Sequence, residues 1–325
     1  MLGRMQKTLL SLILAAAFAS GCSSPSEQPA TAKSEPQSMP ALLVKPAAQP
    51  EPAPVAQGDA RAERLATLMK EQQKAMDDYF KAFEEALGGN QNPSREELEK
   101  VQAQVKDPDT TVYLARAQQL LDEDPKDITA FNTIRWMMDV ARDPASLKTS
   151  IGLLEKYHFE RPEMGALCAR LTADGRGLLE KLLASSPHVD VRGQACFALA
   201  ELLKQDIQYS EYLRTAKPED LEGLKGWMGA ERTEALGKLD VAATQKEIEK
   251  IYDRIVAEFG EVKINVGTKR ETTLGKRAGA ALYEIRNLAV GQQAPEIEGT
   301  DLDSVAFKLS DYRGKVVLLD FWGNW

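Results

Sequence analysis

The sequence predicts a mostly α chain, built as helical hairpins in a solenoid-like array and followed by the N-terminal β portion of an α/β fold. Three observations carry this. Apolar residues recur at three- and four-residue steps from about residue 60 to 288, the period of a helix with one buried face. Gly, Asp-Pro, Arg-Pro and Ser-Pro-His breaks cut that pattern into short pieces. From residue 289 onward the helical period gives way to alternation and then to a Val/Leu run.

The chain opens on a targeting segment, residues 1–21. Arg4 and Lys7 precede the apolar stretch TLLSLILAAAFA, which is short for a bilayer span. The small residues that follow, up to Cys22, resemble the bacterial lipoprotein signal. In that family the cysteine is lipidated and becomes the new N-terminus; Ala19 stands where the family more often has Leu. The resemblance implies Cys22 as the lipid attachment site. It also implies a cell-envelope location, on the outer membrane or the periplasmic face, with Ser23 favouring the outer membrane. Two or more acyl chains, at about 0.8 kcal/mol per buried methylene, make a stable anchor.

Residues 22–59 read as the lipidated cysteine and a disordered tether. Eight of the 16 prolines fall in residues 23–58, among Ala, Ser and Gln, and such a composition buries too little apolar surface to offset its ordering. The tether would reach about 110 Å as polyproline helix, or about 30–35 Å as a coil.

Residues 60–288 form the helical, repeat-like region. Leu65, Leu68, Met69, Met76, Tyr79, Phe80, Phe83 and Leu87 make the first stripe, closed by Gly88-Gly89-Asn90. Ser94 and Glu97 have the spacing of a capping box. Phe131, Ile134, Met137, Met138 and Ala141 make another stripe, which Asp143-Pro144 ends before a partner carrying Leu147, Ile151 and Leu154. Further stripes hold Met164, Leu167 and Leu171, then Leu178 to Leu183, then Val191 to Leu202. Thr244 with Glu247 is read as the cap of a helix carrying Ile248, Ile251, Ile255 and Phe259, and Leu274 to Leu288 as the last helix. Residues 205–240 mix charge with glycine and are left unassigned. Two stretches faintly resemble tetratricopeptide and HEAT units, families whose arrays bind protein partners.

Chemistry-bearing residues are scarce. The only histidines are His158 and His188, expected at helix edges as surface or capping groups, and the cysteines are Cys22, Cys168 and Cys196. No metal site and no cofactor are expected from so small a supply. Cys168 and Cys196 lie on or beside apolar stripes and are read as small core hydrophobes. A disulfide between them, or a reactive thiol pair, stays open. Formal net charge is −8, and −10 once residues 1–21 are removed, so no electrostatic footprint for nucleic acid or anionic lipid is expected and the charge reads as a solvated acidic surface.

In residues 289–325, Ala294-Pro295 is extended, residues 300–304 form a turn, and Phe307 and Leu309 alternate with polar neighbours as in a half-buried strand. Asp311 to Gly314 turn again. Val316 to Phe321 reads as a strand buried on both faces, followed by Trp322 and Trp325. The order V-G-x-x-A-P, an acidic turn, then L-S-D-Y-R-G-K-V-V-L-L-x-F-W-x-x-W resembles the opening of thioredoxin-like thiol–disulfide oxidoreductases of the alkyl hydroperoxide reductase/thiol-specific antioxidant superfamily. Ser304 stands where that family prefers glycine at a turn of positive φ.

The resemblance implies an incomplete thioredoxin-like domain over 289–325, with Phe321, Trp322 and Trp325 flanking the active site. No catalytic residue is expected within the chain, because the family's C-x-x-C would come immediately after Trp325. The sequence, or its gene, is read as cut just before that motif. The expected protein is a membrane-anchored thiol–disulfide oxidoreductase (redoxin) whose partners, at full length, are protein thiols, disulfides or peroxide. The alternative is a non-enzymatic helical lipoprotein scaffold that binds protein partners. The isolated closing segment is expected to pack poorly.

Overall fold

The computed structural model describes residues 60–90, 92–141, 143–301 and 303–320. They divide into two compact units, one up to Val241 and one from Ala242. The leader, Cys22 and the tether lie outside the described residues.

Among the described residues, the first unit has helices as its only regular elements. Helix α1 (Ala60–Ala86) ends where Gly88 and Gly89 take φ of 60° and 80°, a left-handed exit that glycine makes without a Cβ clash. Helix α2 (Arg95–Gln104) starts on the expected capping box: Ser94 accepts from the Glu97 N–H, and Glu97 accepts from the Ser94 N–H. Asp109, Asp127 and Asp143 cap α3 (Thr110–Glu123), α4 (Ile128–Val140) and α5 (Pro144–Tyr157), with Pro144 in the first turn of α5. Proline there loses nothing, since that N–H has no partner inside a helix.

Sequence neighbours are also spatial neighbours: α1 lies on α3 and α4, α3 on α4, and α4 on α5. Helix α4 is buried along nearly its full length, with Phe131, Ile134, Trp136 and Met137 in one continuous core with Leu65, Leu68, Leu120 and Leu154. Each such side chain contributes about 1.5–3 kcal/mol. Arg61 crosses from α1 to bond the Asp127 carboxylate and the Leu120 and Asp124 carbonyls.

The short helix α6 (Met164–Cys168) and α7 (Arg176–Ser185) both pack on α8 (Val189–Thr215), as does α10 (Ala230–Gly237), which is preceded by α9 (Pro218–Met228). The stretch 205–240 is therefore helical. Its signal is weak because, within that stretch, the buried positions of α8 are Asp206, Ile207 and Ser210, two of them polar. Buried Asp206 accepts from Arg176 of α7 at 2.7 Å and from Arg232 of α10 at 3.3 Å, tying three helices through one carboxylate.

The second unit opens with α11 (Val241–Phe259), whose buried face is Thr244, Ile248, Tyr252, Ile255 and Phe259. Thr244 is thus inside the helix and not its cap, a correction of one turn: the apolar stripe starts later than the helix. A two-residue hairpin follows, β1 (Lys263–Ile264) with β2 (Thr272–Thr273), which has no legible period at that length. Helix α12 (Leu274–Asn287) is capped by Thr273 and buries Leu274, Ala278 and Leu282. Gly260 and Gly275 abut, the Gly275 N–H donating to the Gly260 carbonyl at 3.1 Å. A Cβ on Gly275 would stand 2.8 Å from that oxygen.

Candidate functional site

The candidate site is the closing segment. Strand β3 (Glu298–Thr300) pairs antiparallel with β4 (Ala306–Lys308), Glu298 opposite Lys308 and Gly299 opposite Phe307. Gly299 leaves room for the Phe307 ring, which a Cβ there would meet at 3.3 Å. The connecting turn is built on Asp301, whose carboxylate accepts from the Asp303 and Val305 N–H groups at 2.9 Å each. Ser304 takes φ of 62°, the left-handed conformation that the sequence places there.

Beyond β4 the chain makes a 3-10 turn (Leu309–Tyr312) and exits through Gly314 at φ of 82°. Glu296 accepts from the Ser310 N–H at 2.9 Å. The Ser310 hydroxyl and that N–H hold its carboxyl below the usual range. The Leu309 N–H donates to the Ile297 carbonyl at 2.9 Å, extending the hairpin by one rung.

The expected buried strand from Val316 does not form over the described residues 316–320. Val316 is 103 % and Leu318 93 % exposed, and no ladder reaches them. A strand is made by its neighbours, and a lone one leaves every backbone group to water; among the described residues none lies alongside. The expectation of poor packing agrees with this exposure. Phe321, Trp322 and Trp325, like Cys22, lie outside the described residues.

The remaining candidates sit in the first unit. Cys168 and Cys196 are buried and neither forms a disulfide. The Cys168 thiol donates to the Met164 carbonyl at 3.4 Å, and burial pushes its pKa up to about 12. Burial of this kind disfavours thiolate, the nucleophilic form. Neither cysteine is disulfide-bonded in this structure, and their burial agrees with the core reading.

His158 needs a correction. It occupies the C-terminal cap of α5, as expected, but it is only 1 % exposed and not a surface group. Its ring meets Phe131 edge-on at 5.6 Å, and Nδ1 accepts from Arg161 Nε at 3.0 Å. Nothing in the local pattern marks it as buried, because the covering comes from α4. His188 sits at the α8 N-cap position with Nε2 2.9 Å from the Glu160 carbonyl.

Among the described residues no group of three or more His, Cys, Asp or Glu side chains is placed to hold a metal. No described helix is long and apolar enough to cross a membrane.

No protein-family model matches this chain, and no solved structure matches it. Over 38 residues it is similar to thiol-disulfide oxidoreductase ResA from Geobacillus kaustophilus, at 55 % identity. The ResA proteins of Geobacillus thermodenitrificans and Bacillus cereus match over the same length at 50 % and 42 %. Each match takes in 12 % of this chain and 22 % of the relative, so the chain spans about a fifth of the length of the curated relatives it matches. The relation is to a thioredoxin-like oxidoreductase and is confined to that short stretch.

Proposed function

We propose that residues 289–325 open a thioredoxin-like thiol–disulfide oxidoreductase module, carried on a helical region that is lipid-anchored at Cys22 in the cell envelope. The observation that carries this reading is the 55 % identity over 38 residues to a protein named for that activity. The β3–β4 hairpin supports it, with its acidic turn and positive-φ Ser304 at the places that the family pattern asks for.

The activity is proposed for the complete module, not for residues 60–320. In such a module a thiolate at the start of a helix, favoured by the helix amides, attacks a substrate disulfide. A mixed disulfide forms and one substrate thiolate leaves; a second cysteine then attacks the mixed disulfide and releases the other thiolate. The protein ends oxidised and the substrate reduced. Those two cysteines are proposed to follow Trp325, with Phe321, Trp322 and Trp325 beside them. Neither buried Cys168 nor Cys196 fits the role.

The test uses the native polypeptide isolated from envelope membranes. Mass spectrometry should find an acylated Cys22 and a closely spaced thiol pair, and the protein should speed insulin disulfide reduction by dithiothreitol. A native polypeptide without such a pair, and with no rate above dithiothreitol alone, would overturn the reading. That outcome would favour a non-enzymatic helical scaffold that binds protein partners.

A further inference from the structure

The acidic total hides a local reversal of sign. Residues 260–277 hold five basic side chains against Glu261 and Glu271, and the second unit's fold gathers them. The β1–β2 hairpin places Lys263 at its base and Lys269 and Arg270 in its loop, while Lys276 and Arg277 lie in the first turn of α12, directly after β2. Lys263 is bridged to Glu271 at 3.4 Å, so the one carboxylate in the loop is already engaged.

The loop is built and not slack. Asn265 and Gly267 take φ of 55° and 77°. The Thr268 hydroxyl donates to the Asn265 carbonyl at 2.7 Å and accepts from the Arg270 N–H at 3.1 Å. The Gly267 N–H donates to Glu271 Oε2 at 2.9 Å, and Asn265 Nδ2 donates to the Arg270 carbonyl at 3.3 Å. With its polar groups turned inward in this way, the loop presents Val266, 66 % exposed, in the same tip as Lys269 and Arg270. A buried partner for Val266 would have been the cheaper use of that side chain.

We propose that this hairpin tip is a docking surface for an anionic lipid bilayer. An apolar residue held between cations matches an interface in which headgroup phosphates lie above an acyl boundary: the cations meet phosphate and the valine enters the boundary. An acidic protein surface would satisfy the cations but give Val266 no apolar neighbour by the same token. The proposal needs no lipid at Cys22, so it stands apart from the anchoring reading.

The chain from residue 22 onward, with Cys22→Ser, retains every described residue and lacks the apolar leader. It should co-sediment with phosphatidylcholine vesicles that contain phosphatidylglycerol and not with phosphatidylcholine alone. Raising salt to about 1 M, where screening reaches ~3 Å, should release it. Lys269→Glu with Arg270→Glu should weaken binding about tenfold or more, and Val266→Ser should weaken it at unchanged salt dependence. Equal binding to both vesicle types would overturn the proposal, as would a charge-reversed variant that binds like its parent. Retention on polyglutamate beads with none on vesicles would also overturn it and assign the tip to an acidic protein. Failure of any of these arms leaves acylation of Cys22, measured by mass, unaffected.

Discussion

The first unit and the closing segment are opposites. The first unit has a continuous core from Leu65 to Leu202. The closing segment carries the motif order that resembles thioredoxin-like oxidoreductases, yet it runs exposed from Val316 to Asp320. Kinship and packing are thus separable: sequence likeness tracks chemistry that a whole module performs, whereas stability tracks what each stretch buries here.

Truncating one leucine in each region tests that contrast most sharply. Leu154→Ala should cost about 2–5 kcal/mol, because Leu154 is fully buried and its cavity can only partly collapse. Leu318→Ala should stay within about 0.5 kcal/mol, as for exposed positions in general. Urea titrations of both variants measure the difference, and equal midpoints would erase the contrast.

The next effect is smaller and depends on pH. Burial, aided by the Arg161 charge, holds His158 below its ordinary value, against the pull of the Pro125 carbonyl and the Asp127 and Asp124 carboxylates. The unfolded chain therefore takes up a proton near pH 6.5 that the folded chain refuses. Stability is full above that pH and is lost as pH falls toward the lowered folded value. Protonation would also turn Nδ1 from acceptor to donor and break its bond with Arg161. The urea midpoint should fall between pH 7.5 and 5.5, and His158→Asn should flatten that slope. An unchanged slope would show that the histidine is not the cause.

The smallest effect belongs to the hairpin. Ser304→Gly relieves a side chain held at positive φ and should stabilise the turn by up to about 1 kcal/mol. Slower hydrogen exchange at Glu298–Thr300, with no change in the first unit, would register it.

These cases also mark what was legible. Features written in two or three adjacent residues could be read directly: Gly88-Gly89, the Ser94–Glu97 box, Asp143-Pro144 and the Ser304 turn all do locally what their chemistry dictates. Features set by distant chain were not legible. His158 is covered by a helix distant in sequence, the last part of α8 buries polar Asp206 and Ser210, and β1–β2 is too short to alternate. The Val316 run failed for the converse reason: its composition suits a central strand, but composition cannot supply the strands on either side. Of the candidate site, the hairpin and its turn were readable, while Phe321, Trp322, Trp325 and Cys22 lie outside the described residues.

The abutment of Gly260 with Gly275 has a consequence for tracing ancestry. A Cβ on Gly275 would meet the Gly260 backbone, and a Cβ on Gly260 would stand 2.8 Å from the Val256 carbonyl oxygen, so neither position takes a side chain without a backbone shift, whatever happens to the apolar stripes of α11 and α12. A pair of glycines fifteen positions apart, one ending a helix and one beginning the next, is therefore a fingerprint that can outlast divergence elsewhere and identify kin of this unit when overall identity has faded.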